Sequence, residues 1–390
     1  MRETLIDTAG RLDEVIAAAH SAGRVALDTE FLRERTYRAR LCVVQVATAE
    51  EVFVVDALAK LDLGALAHLV DDESVELVVH AGKQDFELLF EDFGVVPRRV
   101  FDVQVAAGFA GFGASLALGR LVEDVVGQKL EKGETYTDWC RRPLTDAQLH
   151  YAANDVQWLL PAADILLDKL RGQGRIEWAA EEMRVLEDAR TYGTDPEEAW
   201  RKVSGRGTLS ARQTAVLKAV ARWREETAAR RNIPRSWVVK DPTLIELARR
   251  APKSLRALNA IRGLNTREAE RSGAQLLEAI DNGLASPPIP TPRTPPKDIL
   301  VRARMLSGLA DAVVRARCER AGIATEVVAT RGEIEILIAD VLSNGARSGG
   351  HRLLEGWRRD LVGDAVVALT EGRVGVRVID APPYVEEVVL

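Results

Sequence analysis

Two acids sit two residues apart in an otherwise apolar run, "RVALDTEFLR", residues 24–33. In a strand, residues two apart share a face, so Asp28 and Glu30 lie side by side where Val or Ile would pack better. Two neighbouring carboxylates repel each other and resist burial. A third acid, Asp85, follows the apolar run "ELVVHA" in "HAGKQDFELL". A fourth, Asp155, lies in the helical stretch "LHYAANDVQWLL", with Tyr151 four residues earlier on the same helix face. Such acids facing one point demand cations among them. Magnesium or manganese, which prefer oxygen ligands, would meet that demand. Two such ions roughly 3.5–4 Å apart are a recurring device for phosphodiester cleavage. Each element is weak evidence alone, since strand-edge acid pairs and helix-start acids are common. In this order and spacing they are specific together.

The elements that must position these acids are legible in outline. Strands are expected around 25–30, 41–47 and 52–55, then a helix near 62–70, a strand at 76–81 and a helix ending at Gly94. From 114 to 170 the pattern is mainly helical. Residues 1–200 therefore read as a mixed α/β domain. Beyond about 210 strand signals vanish and helical periodicity takes over, with Ser210 and Asp241 as helix starts. A helical domain is expected over 208–285. A stiff proline-rich linker follows at 286–296, within "ASPPIPTPRTPP" (285–296), and a further helical domain at 297–390. Shifted by 90 residues, "NIPRSWVVKDPTLIEL" falls on "GIATEVVATRGEIEIL", matching mostly at apolar positions. This is either a faded duplication or chance periodicity between two helical units. The C-terminal "VGVRVIDAPPYVEEVVL" alternates like strands but has no evident place in the fold.

Composition narrows the class. The chain has 390 residues, 47% of them hydrophobic, enough for several cores. No apolar run reaches membrane-spanning length, and the charged N-terminus lacks the apolar stretch of a signal peptide. Three distant cysteines fit no zinc spacing or disulfide framework. A soluble, cytoplasmic protein is expected. The net charge of −6 hides a split: residues 1–200 carry 37 acids against 21 bases, residues 201–300 only 9 against 20. An acidic part that gathers cations joined to a basic part that touches polyanions fits that split, as do merely solvated helix faces. No G-x-x-x-x-G-K-[ST] loop is present, which excludes a P-loop helicase and leaves no nucleotide cofactor in view.

The segments "LDTEF", "HAGKQD", "FDVQVAA" and "RPLTDAQLHYAANDVQWLL" resemble the ribonuclease D family, within the DEDD superfamily of 3′-to-5′ exonucleases. The middle domain resembles an HRDC domain, and the last segment is similar to that family's second, degenerate HRDC-like domain. The resemblance implies a ribonuclease H-like mixed-sheet exonuclease domain followed by two small helical HRDC-type domains. It implies that Asp28, Glu30 and Asp155 hold one Mg2+ or Mn2+, that Asp28 and Asp85 hold a second, and that Tyr151 orients the attacking water. It further implies an RNA substrate with a free 3′ end, such as a tRNA precursor, and release of 5′-mononucleotides; a monomer is expected, although nothing in the sequence fixes the oligomeric state. A 3′-to-5′ DNA exonuclease and a non-catalytic nucleic-acid-binding protein are the alternatives, although all four acids are present. The superfamily has a tyrosine branch and a histidine branch, and this chain satisfies both, because His150 stands five residues before Asp155. Four residues return to nearly the same helix face whereas five overshoot, which favours Tyr151.

Several residues carry smaller expectations. His80 is read as a strand-end residue and Asp102 as structural. Lys129, Trp139, Arg142 and Pro143 either brace substrate or simply pack. Arg33, Arg35, Arg38 and Arg40 border the acidic site, and Arg33 and Arg35 are expected to meet phosphates. In the middle domain Arg231, Arg235 and Lys240, in and beside "NIPRSWVVKD", are expected to contact RNA in a salt-dependent way. Trp223 and Trp237 are read as core rather than base-stacking.

Overall fold

The computed structural model describes residues 2–33, 35–130, 137–193, 195–290, 295–345 and 350–390. Part of the expected proline-rich linker, residues 291–294, lies outside the described residues. Six strands form one mixed sheet: β1 (Arg2–Ile6), β2 (Arg24–Leu32), β3 (Arg40–Ala47), β4 (Glu51–Asp56), β5 (Glu76–Val79) and β6 (Val100–Asp102), in the order β1-β4-β3-β2-β5-β6. The central pairings β2–β3 and β3–β4 are antiparallel. The outer pairings β1–β4, β2–β5 and β5–β6 are parallel. Strand β1 is not among the strands that the sequence announces. Five residues carry too little alternation to announce a strand whose partner lies 49 positions away, as in the Arg2–Glu51 pairing.

The period-2 alternation of these strands sorts their side chains into two cores. Leu27, Val44, Val46, Phe53, Val55, Leu77 and Val79 pack against α1 (Ala9–Ala22), α2 (Gly64–His68) and α3 (Lys83–Phe93). Ala26, Ala47, Val52 and Val78, on the opposite face, meet α4 (Val103–Ala110), α5 (Leu118–Val126), α7 (Leu159–Gly172) and α8 (Ile176–Met183). Helix α6 (Asp146–Gln157) lies across β2, β3 and β4 on this second face. It starts where Thr145 and Gln148 cap each other's backbone N–H groups, a reciprocal arrangement that fixes the helix register.

The middle module closes a core of its own. Helices α9 (Ala211–Arg231), α10 (Arg235–Val238), α11 (Asp241–Arg250), α12 (Leu255–Asn259) and α13 (Thr266–Ala285) enclose Leu217, Val220, Leu244, Leu247, Leu258 and Ile280. Ser210 caps α9 with Gln213, whereas Asp241 sits in the first turn of α11, after Lys240 at the cap position. Trp223 is buried in this core, but Trp237 is 59% exposed, contrary to its reading as core. Its neighbour Val238 takes the inward position of the single-turn α10 instead.

The last segment repeats this pattern at the offset read from the sequence. Helix α14 (Lys297–Ala321) is followed by the single turn α15 (Thr325–Val328) and by α16 (Arg331–Asn344). These short turns and second helices begin 90 residues after α10 and α11. Val328, Ile334 and Leu337 are buried as Val238, Leu244 and Leu247 are. Helices α17 (Gly356–Arg358) and α18 (Asp364–Thr370) follow, and the unplaced C-terminal alternation forms an antiparallel pair, β7 (Val374–Val378) and β8 (Val385–Val389). Unlike the middle module, this segment shares one continuous core with α4, α5, α7 and α8 of the first domain. Buried Arg175 rivets the contact. Its guanidinium donates to the Phe109 carbonyl at 2.8 Å, the Gly322 carbonyl at 2.9 Å and the Ala321 carbonyl, joining the C-terminal ends of α4 and α14. The backbones approach too closely for side chains there. A Cβ at Gly111, whose φ is +89°, would lie 2.6 Å from the Gly322 oxygen.

Candidate active site

Strand β2 supplies Asp28 and Glu30 to the face crossed by α6, and α6 brings Asp155 down on them. Carboxylate oxygens of Asp28, Glu30 and Asp155 lie within 4.8 Å of one another. Asp85 enters from the first turn of α3, at the end of the neighbouring strand β5, where it is 8% exposed. The Thr29 hydroxyl, on the opposite face of β2, donates to Asp85 Oδ1 and ties the fourth acid to the strand that carries the first two. Thr29 went unnoticed in the sequence. Its only signal is its place between the two acids.

Electrostatics mark the cluster as strained by its own charge. Burial, reinforced by Asp85, Asp155 and Glu30, holds the Asp28 carboxyl well above its ordinary range. Burial, then repulsion from Asp155 and Asp85, pushes Glu30 up to about 8. Burial raises Asp155 to about 7 against an opposing hydrogen bond from Tyr151. It raises Asp85 to about 6, with the Thr29 hydroxyl opposing. The Tyr151 phenol is driven upward by burial and by the surrounding carboxylates, so it stays protonated and donates to Asp155. Burial and mutual repulsion disfavour the charged form of these all-oxygen donors, and a divalent cation among them would offset that cost.

The surroundings fix these groups in place. The Tyr151 ring packs on Trp139 with centroids 5.9 Å apart. Trp139 belongs to a turn organised by Arg142, whose guanidinium makes five hydrogen bonds. Nε and Nη2 grip the Asp56 carboxylate at 2.7 and 2.6 Å, and the remaining donors reach the carbonyls of Cys42, Trp139 and Arg141 at 2.7–2.8 Å. Of the sequence alternatives for these two residues, packing describes what they do. Asp102 caps α4 and accepts the backbone N–H groups of Ala81 and Gly82 at 3.1 and 3.2 Å, holding the turn that launches α3 and Asp85. His80 bonds the Leu116 carbonyl at 2.8 Å. Lys129 is exposed. His150 points elsewhere: 54% exposed, its Nδ1 lies 3.0 Å from Glu3 on β1.

Residues 4–171 match the family model of 3′-5′ exonucleases, and residues 213–280 match that of the HRDC domain. Curated ribonucleases D are similar over nearly the whole chain. That of Acidiphilium cryptum is 39% identical, with 97% of each chain covered. That of Gluconacetobacter diazotrophicus is also 39% identical, covering 95% of this chain and 93% of its own. The chain belongs to the ribonuclease D family. As a ribonuclease D it is a hydrolytic exoribonuclease, and its exonuclease class uses divalent metal ions. The solved structure of Escherichia coli RNase D, described as an exoribonuclease involved in structured RNA processing, superposes with a TM-score of 0.81 at 30% identity. That likeness covers 95% of this chain and 99% of the other.

The run of basic residues in the middle module is expected to face RNA, and the structure shows that two of its arginines already have protein partners. Arg231 is turned inward. It grips Glu268 with two bonds of 2.9 Å and Ser272 at 2.6 Å, joining α9 to α13. Arg235 clamps buried Glu225 at 2.7 and 2.8 Å and stacks its guanidinium over the Tyr37 ring at 5.0 Å. Tyr37 belongs to the first domain, and its hydroxyl donates to the same Glu225. Asn232 Oδ1 accepts the N–H groups of Tyr37 and Arg38, each at 3.1 Å. Arg231 therefore serves the fold, Arg235 is tied to the fold while remaining 41% exposed, and the "NIPR" turn docks the HRDC module onto the loop after β2. A charged residue's partner cannot be read from its own position, which is why these ion pairs are not legible in the sequence. Arg35 and Lys240 are exposed as expected. Arg33 is exposed too, 3.8 Å from Glu87.

Proposed function

We propose that this chain removes nucleotides one at a time from the 3′ end of RNA, releasing 5′-mononucleotides, with two divalent cations in the Asp28–Glu30–Asp85–Asp155 cluster. The convergence of carboxylates from β2 and α6 within 4.8 Å carries the reading. Asp28, Glu30 and Asp155 would hold one Mg2+ or Mn2+, and Asp28 and Asp85 the other. When bound, such ions lower the pKa of water and offset charge on the phosphate and the departing 3′ oxygen. The chain's own groups do the positioning. The protonated Tyr151 hydroxyl, its proton held by Asp155 and its ring braced by Trp139, offers an oxygen that accepts a hydrogen bond from the attacking water and so aims it. Thr29 and Asp102 keep Asp85 aligned from behind.

Substrate approaches past Arg33 and Arg35 at the rim of β2. Further out, a hollow of about 370 Å³ between the Ala199–Lys202 turn and the HRDC module is lined by Lys202, Arg235 and Lys240 along with Glu225 and Asp241. Such groups give sequence-tolerant affinity for a structured RNA. We infer a cytoplasmic monomer that trims tRNA precursors. Among the described residues no helix is long and apolar enough to cross a membrane. The test is digestion of 3′-extended tRNA and of matched RNA and DNA oligomers, labelled at the 5′ end, with Mg2+ or Mn2+ and with EDTA. Single-nucleotide steps on RNA that need metal and vanish in Asp28→Asn are expected. Equal activity on DNA would favour the repair-type alternative. Undiminished activity in EDTA would overturn the metal reading.

A further inference from the structure

The two sulfurs of Cys42 and Cys140, 98 residues apart in sequence, lie 2.9 Å from each other beside the nuclease site. Cys42 is wholly buried in β3, and its carbonyl accepts from Arg142. Cys140 is half-buried in the turn between Trp139 and Arg142, and it reaches solvent. Trp139 in that turn is the residue that braces Tyr151. The small cluster of Cys42, Val43, Val54, Trp139 and Ala152, flanked by Cys140 and Tyr151, is one packed body. A change in the sulfur pair is therefore felt at the tyrosine.

We propose that Cys42 and Cys140 form a reversible disulfide when the enzyme meets a peroxide, and that closing it slows RNA cleavage by shifting Trp139 against Tyr151. Cys140 is the sulfur that oxidant can reach. Its thiol is oxidised by hydrogen peroxide to a sulfenic acid with release of water. The Cys42 sulfur then attacks Cys140, the S–O bond breaks, and the Cys42 proton leaves with the hydroxyl as a second water. Two thiols are oxidised and one peroxide is reduced. Burial holds the Cys42 thiol up to about 12, which keeps it from reacting first and makes it the resolving partner. Moving from the present separation to a bond of ~2.05 Å draws the Cys140 turn roughly 1 Å toward β3. Disulfides in reducing compartments are commonly transient and regulatory, as this one would be.

The experiment treats the full-length reduced protein with hydrogen peroxide, then denatures it and titrates thiols. Two of the three are expected to disappear, peptide mapping should find Cys42 joined to Cys140, and dithiothreitol should restore both. Cys140→Ser should abolish the loss. Cys42→Ser should instead leave a Cys140 sulfenic acid that dimedone traps. In an RNA-digestion assay the oxidised protein should lose kcat several-fold at unchanged KM and regain it on reduction, while the Cys42→Ser Cys140→Ser double variant ignores the oxidant. Three surviving thiols, or a bond involving Cys318, would overturn the proposal. Complete closure with unchanged kcat would overturn its link to Tyr151. Only the rate measurement rests on the nuclease reading. A reduced protein inactive in that assay would count against that reading and leave the thiol results to judge the disulfide.

Discussion

Asp28→Asn should make the metal-free protein more stable while destroying its activity. Glu30 illustrates the sign. Its folded-state value of about 8 lies above the ordinary 4.5 of an unfolded glutamate, so the fold prefers the protonated form. Without metal, stability is therefore greatest in mild acid and falls as pH rises from about 4.5 to about 8. The gap of some 3.5 units corresponds to ~5 kcal/mol at ~1.4 kcal/mol per unit. The penalty is shared among interacting acids, so neutralising the central one relieves roughly 1–3 kcal/mol. That amounts to a rise of a few degrees in the first unfolding transition. The assay is thermal unfolding of both proteins at pH 5 and pH 8, in EDTA and in Mn2+. In EDTA at pH 8 the variant should melt higher, and at pH 5 the difference should shrink. Mn2+ should raise the wild-type melting temperature at pH 8 and do little for the variant. A variant that melts lower in EDTA at pH 8, or one stabilised by Mn2+ as much as the parent, would refute the account of a self-repelling cluster.

Three further outcomes follow from the neighbourhood of the acids. Tyr151→Phe should cut kcat on RNA at least tenfold while His150→Ala stays within about twofold, the difference made by one aligned hydroxyl; the reverse order in steady-state kinetics would assign the histidine branch. Arg142→Lys cannot reproduce a fork that serves one carboxylate and three carbonyls, and should cost about 2–4 kcal/mol in denaturant unfolding by leaving Asp56 poorly paired. Glu225→Ala removes the shared acceptor of Tyr37 and Arg235. Hydrogen exchange should then quicken at the Tyr37 and Arg38 amides and remain slow in β3, whereas uniform loss of protection would mean the contact supports the whole fold.

The sequence made local patterns readable and distant partnerships hard to read. Asp28 and Glu30 declare a shared face because strand period is local, and Tyr151 and Asp155 do so because helix period is local. That α6 crosses β2 at the right height is a fact of packing, and only the resemblance to known exonucleases made it foreseeable. Charged residues show the same limit from the other side. Arg231 and Arg235 look like RNA contacts in a basic run, yet Glu268 and Glu225 claim them from 37 and 10 residues away. Thr29 and Tyr37, both silent in the sequence, acquire their roles only through acids brought to them by folding. The 90-residue repeat was visible because its matched positions are apolar and inward in both copies. Its different docking was not, because that depends on Arg175 and on the bare backbone at Gly111.

The unequal attachment of the two helical segments gives the molecule one removable part and one that is welded in. The middle module encloses an apolar interior separate from that of the nuclease sheet and touches the loop after β2 through a handful of polar bonds and the packed Tyr37 ring. With the flanking chain rejoined, replacing it by a foreign module should leave the catalytic sheet standing, as retained nuclease activity of such a chimera would show. The final segment has no such freedom. Its helices complete the interior of the nuclease itself, so deleting them would strip α4, α7 and α8 of their cover and turn the remainder into an aggregating fragment.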